Sequence, residues 1–257
     1  GKEDVGTTPL FIIIGAQKAG TTNLRHNLLS HPSLAGSRTE THFFDWHFPA
    51  AGEGGDADDA TTAIAEGGGA AAALRAYSRR LLQGRAGLVR AASDVRRVAR
   101  GRAFVFDTSP SYYLIPAAAA RAAALRPRAR LVLLVRDPVE RYFSAAHMVT
   151  CWNATVGLPT EAFHATGGAA ARAAEFAAAY NASDADGCMG LPLRGGRCQW
   201  GAFTGNALAR GLYADALRRW LRAFPARNVL VVDSARYFRA TQAVLDEVLA
   251  FLGLPPH

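Results

Sequence analysis

Residues 11–24 read FIIIGAQKAGTTNL, and this stretch decides the fold. An apolar run over 10–14, rich in β-branched residues, reads as a buried strand. It meets a loop of Gly, Lys and Thr, and a helix is expected over 21–30, beginning at the Thr pair and closed before His31-Pro32. A strand that turns through glycine into a helix aims backbone N–H groups at one point, where the helix dipole favours an anion. Gly15 and Gly20 keep the spacing of the triphosphate-binding pattern G-x-x-x-x-G-K-[ST]. Thr21, however, stands in the lysine's place, and Lys18 comes before the second glycine. Gly20 permits close approach of an anion, the Thr21 and Thr22 hydroxyls add donors, and Lys18 adds a point charge. The plain alternative is an ordinary strand-to-helix turn with incidental threonines.

Lysine usage sharpens the reading. Of 29 basic residues only Lys2 and Lys18 are lysines. In a chain that otherwise uses Arg, a lysine inside the glycine loop points to a need for a compact ammonium rather than a planar fork.

Outward from this loop, strands are expected at 103–107 (AFVFD), 129–135 (ARLVLLV) and 228–233 (NVLVVD), with helices over 69–83, 116–125, 205–223 and 240–252. DPVERYFSAAHM reads as a further helix, with Asp137 as N-cap and Pro138 in its first turn. Strands alternating with helices predict an α/β fold, a phosphate-loop-like parallel β-sheet flanked by helices on both faces. The chain reads as a single domain over 1–257. A Gly/Ala/Asp-rich flexible insertion occupies 49–68, and a variable insertion occupies 150–203, with a helix over 160–180.

The bulk numbers bound the function. With 257 residues, half of them hydrophobic, the chain can bury one large core. Its net charge of +8 suits a polyanionic partner such as nucleic acid, acidic glycan or nucleotide; GC-rich coding that inflates Ala, Arg and Gly together explains the same charge. No run of about 18 apolar residues offers a membrane span. Cys151, Cys188 and Cys198 lack C-x-x-C spacing, which argues against zinc. Cys188 and Cys198 bracket CMGLPLRGGRC, a loop short enough to be closed by a disulfide. NAT at Asn153 and NAS at Asn181 are glycosylation acceptors and, with the cysteines, point to a secretory-pathway lumen.

Three motifs carry a family resemblance. IIIGAQKAGTT resembles the 5′-phosphosulfate loop of the sulfotransferases that use 3′-phosphoadenosine 5′-phosphosulfate (PAPS). LVLLVRDPVERYFSAAHM resembles that superfamily's 3′-phosphate-binding strand, turn and helix. TETHFFDWHF resembles the E-x-H-F-F-D segment of its heparan- and chondroitin-type carbohydrate O-sulfotransferases. The resemblance implies that Lys18, Ala19, Gly20, Thr21 and Thr22 hold the 5′-phosphosulfate and that Arg136 and Ser144 hold the 3′-phosphate. It implies Glu40 as general base on an acceptor hydroxyl, with Lys18 stabilising the leaving group. His42 and Asp45 are read as groups that support Glu40 or position the acceptor, with a purely structural role as the alternative for either. Beside Phe43, Phe44 and Trp46, Glu40 is expected to be desolvated, with its pKa raised. A metal at His42, Asp45 and His47 has no second cluster to complete it, and this chemistry requires none.

The implied partners are PAPS as donor and a glycan or polysaccharide as acceptor, with no nucleic acid. The implied setting is the Golgi lumen, reached by a type II protein whose N-terminal anchor precedes this chain. Two departures stand out. Thr108 in DTSPSYY occupies the place of a lysine in heparan 3-O-type enzymes, and the family's Gly-Arg loop is expected beyond His257, which makes the domain C-terminally incomplete. Tyr213 is expected to pack as an aromatic or to line the site. Two other readings compete. A Mg-ATP phosphotransferase needs a lysine after Gly20, which is absent, and a Mg²⁺ carboxylate, which FVFD or LVVD loosely mimics. A non-catalytic polyanion-binding protein is favoured by Thr108 and the absent terminal loop, and opposed by intact Lys18, Glu40, Arg136 and Ser144.

Overall fold

The computed structural model describes residues 10–36, 39–45, 47–48, 69–83, 104–155, 193–194, 197–198 and 210–257. The chain opens with β1 (Leu10–Gly15), α1 (Thr21–Leu28), β2 (Leu34–Gly36), α2 (Ala70–Gln83) and β3 (Phe104–Thr108). It continues with α3 (Pro116–Leu125), β4 (Arg130–Val135) and α4 (Pro138–Thr155). Next come a two-residue hairpin, β5 (Leu193–Arg194) with β6 (Arg197–Cys198), and then α5 (Tyr213–Ala223). The chain closes with β7 (Val229–Asp233), α6 (Ser234–Arg239) and α7 (Thr241–Leu252).

Five strands form one sheet in the order β2-β3-β1-β4-β7, and all four pairings are parallel. Parallel pairing requires crossovers, and crossovers bring helices over the sheet. In β1 and β4 the consecutive residues Phe11 to Ile14 and Leu131 to Leu134 are all 0% exposed. Successive strand side chains point to opposite faces, so both faces are covered. From β1 the chain moves to one side, to β2 and β3, and then crosses to β4 on the other. The loop after β1 therefore leaves the sheet at its topological switch point, where open α/β sheets place their ligands.

Most expected elements are present within a residue or so of their predicted ends. The four strands expected become five in the parallel sheet, because Leu34–Gly36 adds an edge strand on β3. Three residues without β-branching carry no periodicity of their own; their pairing to β3 makes the strand. The helix expected over 205–223 begins only at Tyr213, since Arg210 and Gly211 form a turn before it, and 205–209 lie outside the described residues. The short α6 has no counterpart among the expected helices; Asp233 starts it by accepting the Ala235 N–H at 2.9 Å. Asp137 caps α4 as expected, its Oδ1 accepting the N–H groups of Val139 and Glu140, each at 2.9 Å. That helix runs on to Thr155, so Cys151 and Asn153 lie in it. The 49–68 insertion, the 160–180 helix, Asn181 and the Cys188–Cys198 pairing lie outside the described residues.

The chain divides into two compact units. One joins the N-terminal part through Val135 to Leu217–His257, and the other spans Arg136–Ala216. The first holds the sheet and an aromatic core in which Phe43, Phe44, Phe48, Tyr77 and Tyr112 pack edge to face or tilted. Among the described residues no helix is long and apolar enough to cross a membrane.

Candidate active site

The loop after β1 is shaped by its backbone. Gly20 caps α1 with φ 98°, a left-handed conformation that side chains rarely adopt. A Cβ there would lie 2.9 Å from Cζ of Phe238. As a glycine, this cap offers the first N–H groups of α1 no side-chain acceptor, which leaves the helix start suited to an external anion. Lys18 also has a positive φ, 70°, a conformation that costs a non-glycine residue and recurs at ligand-binding turns. Thr21 is buried and Thr22 exposed.

Helix α6, unforeseen from the sequence, ties this loop down. The buried hydroxyl of Ser234 donates to the Ala19 carbonyl at 2.8 Å. Tyr237 donates to Asn23 Oδ1 at 2.7 Å and accepts from Asn27 Nδ2 at 2.8 Å. Loop and helix start are thus clamped from one side.

Glu40, His42 and Asp45 come together as one hydrogen-bonded chain. His42 Nε2 lies 3.0 Å from Glu40 Oε2, and Nδ1 lies 3.0 Å from Asp45 Oδ2. Burial alone would lower the His42 pKa. The hydrogen bonds and charges of Asp45 and Glu40 outweigh it and raise the value from 6.5 to about 9. At neutral pH the ring is an imidazolium donating to both carboxylates. The desolvation expected for Glu40 is not found. Its side chain is 35% exposed while that of Asp45 is 0%, because Phe43 and Phe44 turn into the aromatic core. Burial lowers the pKa of Arg25 on α1 and the Glu40 charge opposes that shift, so Glu40 lies within electrostatic reach of the helix that follows the loop.

Beneath these residues lies a hydroxyl-rich support that the sequence reading did not single out. Ser111 donates to Asp45 Oδ2, and its Oγ is 3.4 Å from His42 Nδ1. Arg121 on α3 reaches the carbonyls of Phe44 and Asp45 at 3.0 and 3.4 Å, and Arg80 on α2 donates to the Thr41 carbonyl. At the bottom Asp107, fully buried, accepts from Thr41, Tyr77, Ser109 and Tyr112. The density of hydroxyls in D-T-S-P-S-Y, directly after a buried strand, was the available signal. Thr108, at the place of the family's lysine, is 1% exposed. Of the two carboxylates that could mimic a Mg²⁺ ligand, Asp107 is enclosed by hydroxyls and Asp233 is exposed and caps α6 through Oδ1. Among the described residues no group of three His, Cys, Asp or Glu side chains is placed to hold a metal.

The second unit carries Arg136 and Ser144. Tyr213 pins the Arg136 backbone, donating to its carbonyl at 2.8 Å and accepting its N–H at 3.2 Å. This gives Tyr213 a polar role beside the aromatic packing weighed for it. Arg136 Nε pairs with Glu140 Oε2 at 3.2 Å. Ser144 is half-buried on α4.

A parallel sheet with a glycine-capped loop at its switch point and an acid–imidazole–acid chain define a phosphate-loop-like α/β protein. Residues 9–189 match the model of the Sulfotransferase family, and the chain belongs to that family. It is 26% identical over 246 residues to human heparan sulfate glucosamine 3-O-sulfotransferase 6, covering 96% of this chain and 52% of the relative. It is 27% identical over 270 residues to mouse bifunctional heparan sulfate N-deacetylase/N-sulfotransferase 3, covering 97% of this chain and 23% of the relative. The chain thus spans about half or less of these relatives' length. Among solved structures, a sulfotransferase from Alicyclobacillus acidocaldarius matches 97% of this chain and 83% of its own, with a TM-score of 0.56 and 22% identity. That likeness bears on the fold.

Proposed function

We propose that this chain transfers a sulfuryl group from PAPS to a hydroxyl of a glycan or polysaccharide. The observation that carries the reading is the Glu40–His42–Asp45 chain, in a protein of the Sulfotransferase family. The heparan sulfate named in its relatives supports a glycan acceptor.

The anion loop fits the donor's 5′ end. Lys18, Ala19, Gly20, Thr21 and Thr22 would hold the 5′-phosphosulfate, and Arg136 with Ser144 the 3′-phosphate. When bound, PAPS supplies an activated sulfuryl group with a bisphosphate leaving group. Glu40 takes the proton of the acceptor hydroxyl as the new S–O bond forms. The His42 imidazolium, anchored by the buried Asp45, aligns that carboxylate and positions the acceptor through it. Lys18 stabilises charge on the bridging oxygen as the old S–O bond breaks, an interaction of the kind worth roughly 2.7–4 kcal/mol per oriented donor. No metal is assigned a role. The same reading carries a Golgi-lumenal setting, an N-terminal membrane anchor in the whole protein, N-glycosylation at Asn153 and Asn181, a Cys188–Cys198 disulfide, and a single transferase domain with its acceptor-specific insertion at 150–203.

The test is calorimetric titration with 3′-phosphoadenosine 5′-phosphate and, separately, with Mg-ATP. Metal-independent binding of the bisphosphate, weakened by both Lys18→Ala and Arg136→Ala, is expected. Sulfation of heparan sulfate should be lost in Glu40→Gln while bisphosphate binding remains. A preference for Mg-ATP would overturn the donor assignment. Sulfation at the original rate in Glu40→Gln would remove Glu40 as the base.

A further inference from the structure

We infer that Asp107 is a positioning residue for catalysis: it fixes the polarity of the hydroxyls that hold the Glu40–His42–Asp45 segment in place. The catalytic part of this statement rests on the reading of Glu40 as base; the positioning part stands on the geometry. Asp107 is 0% exposed and reaches no ligand, so it acts through its neighbours.

The argument follows the protons. Asp107 Oδ1 accepts from Thr41 Oγ1 at 2.7 Å and from Ser109 Oγ at 3.4 Å. Its Oδ2 accepts from the hydroxyls of Tyr77 at 3.1 Å and Tyr112 at 3.0 Å. An ionised carboxylate only accepts, so the hydroxyls turn their protons to it or, at the 2.8 Å contact between Thr41 Oγ1 and the Tyr112 hydroxyl, to each other, and none toward the backbone. The oxygens of Ser109 and Tyr112 are then left as acceptors. Ser109 Oγ accepts the N–H groups of Thr41 and His42, each at 3.0 Å. The Tyr112 oxygen accepts those of Phe43 at 2.7 Å and Phe44 at 3.3 Å. Four successive backbone N–H groups, from Thr41 to Phe44, thus hang on two hydroxyls that one carboxylate has turned. The segment they hold includes His42 at φ 50°, a conformation its surroundings must impose.

An amide at this position keeps one accepting oxygen and turns the other into an NH₂. That NH₂ would donate to the pair of hydroxyls it faces and compete with the backbone N–H groups for their oxygens. Protonation of Asp107 does the same to one partner. Burial pushes its pKa up from 3.8 to about 6, against the pull of the Thr41, Tyr112 and Tyr77 hydroxyls and aided by the charge of Asp45. The titratable groups acting on it are Tyr77 on α2, Tyr112 after β3, and Asp45 on the turn. Burial keeps both tyrosines protonated, well above their ordinary range, and Arg126 acts on Tyr77 in the opposite sense.

The test reads His42 directly. In Asp107→Asn the His42 pKa, followed by NMR, should fall from about 9 toward 6.5 as its carboxylate partners lose register. Titration with 3′-phosphoadenosine 5′-phosphate should stay within about twofold, and sulfation of heparan sulfate should drop about tenfold or more in kcat. Wild-type turnover should show an acid limb near pH 6 that the variant lacks. Tyr112→Phe and Ser109→Ala, which keep the carboxylate and remove the hydroxyls that hold the four N–H groups, should shift His42 in the same direction and serve if Asp107→Asn does not fold. Tyr77→Phe, whose hydroxyl holds none of the four N–H groups, should leave His42 where it is. Unchanged His42 titration in folded Asp107→Asn, or an equal shift in Tyr77→Phe, would overturn the inference. Absence of wild-type sulfation would count against the proposed function, while the His42 shift would still decide the positioning role.

Discussion

His42 Nε2 lies 3.0 Å from Glu40 Oε2, so the proposed base and the imidazole two residues on form one hydrogen-bonded unit. Glu40 is oriented by a neighbour that is itself anchored, since the other ring nitrogen is held by a buried Asp45.

This pairing makes the fold pH-dependent with a definite sign. The folded protein holds the His42 proton up to about pH 9, against an ordinary 6.5. The contribution is fully present below about pH 6.5 and is lost as pH rises through about 9. Melting temperature measured across that range should fall more steeply for the wild type than for His42→Gln. Parallel curves would show that the ion pairs add nothing to stability.

Gly20→Ala should damage the anion loop in two ways. The φ of 98° strains any L side chain by about 1–2 kcal/mol, and the new Cβ would press on Phe238. Calorimetric titration should record at least about a tenfold loss of bisphosphate affinity, together with a lower melting temperature. Adding Phe238→Ala should relieve the contact and leave the backbone strain, so recovery should be partial. Full recovery would place the whole cost in the ring.

Ser234→Ala removes the only side-chain hydrogen bond seen, among the described residues, on the Ala19 carbonyl. A loss of about 1 kcal/mol in urea unfolding is expected, with weaker bisphosphate binding because the loop loses its clamp. If both quantities match the wild type, α6 is merely adjacent to the loop.

Tyr213→Phe should act on one phosphate selectively. Its hydroxyl holds the backbone of Arg136 on both sides, and Arg136 is the proposed 3′-phosphate ligand. Binding of 3′-phosphoadenosine 5′-phosphate should weaken about fivefold, roughly 1 kcal/mol, while adenosine 5′-phosphate binding changes little. Equal losses for both nucleotides would show a general disturbance.

Much of this was legible in the order of residues. The stretch from Leu10 to Leu28 announces strand, glycine turn and helix because each signal is local: β-branched residues, a glycine where φ is positive, a threonine pair opening the helix. The Asp137 cap of α4 is local in the same way. Glu40 was legible through its motif, but its surroundings were not. The neighbouring phenylalanines suggested a desolvated carboxylate, whereas they serve the core and leave Glu40 to His42. Helix α6 escaped notice because six residues, SARYFR, are too few for a periodic face; its Asp233 cap and its hold on α1 define it.

By itself, then, the sequence determined the strand–glycine–helix turn, the α/β alternation and which acid and imidazole groups lie close along the chain, since these depend on preferences within a few residues. Only the tertiary structure decided how those groups are held. Thr41 meets Asp107 and Ser109 across 66 and 68 residues of chain, and Tyr112 across 71. Contacts at that separation exist only once β1 and β3 pair in parallel and bring the residues after β3 beneath the Glu40 segment. A buried carboxylate then sets the direction of every hydroxyl around it, and such a network has no signature in local sequence.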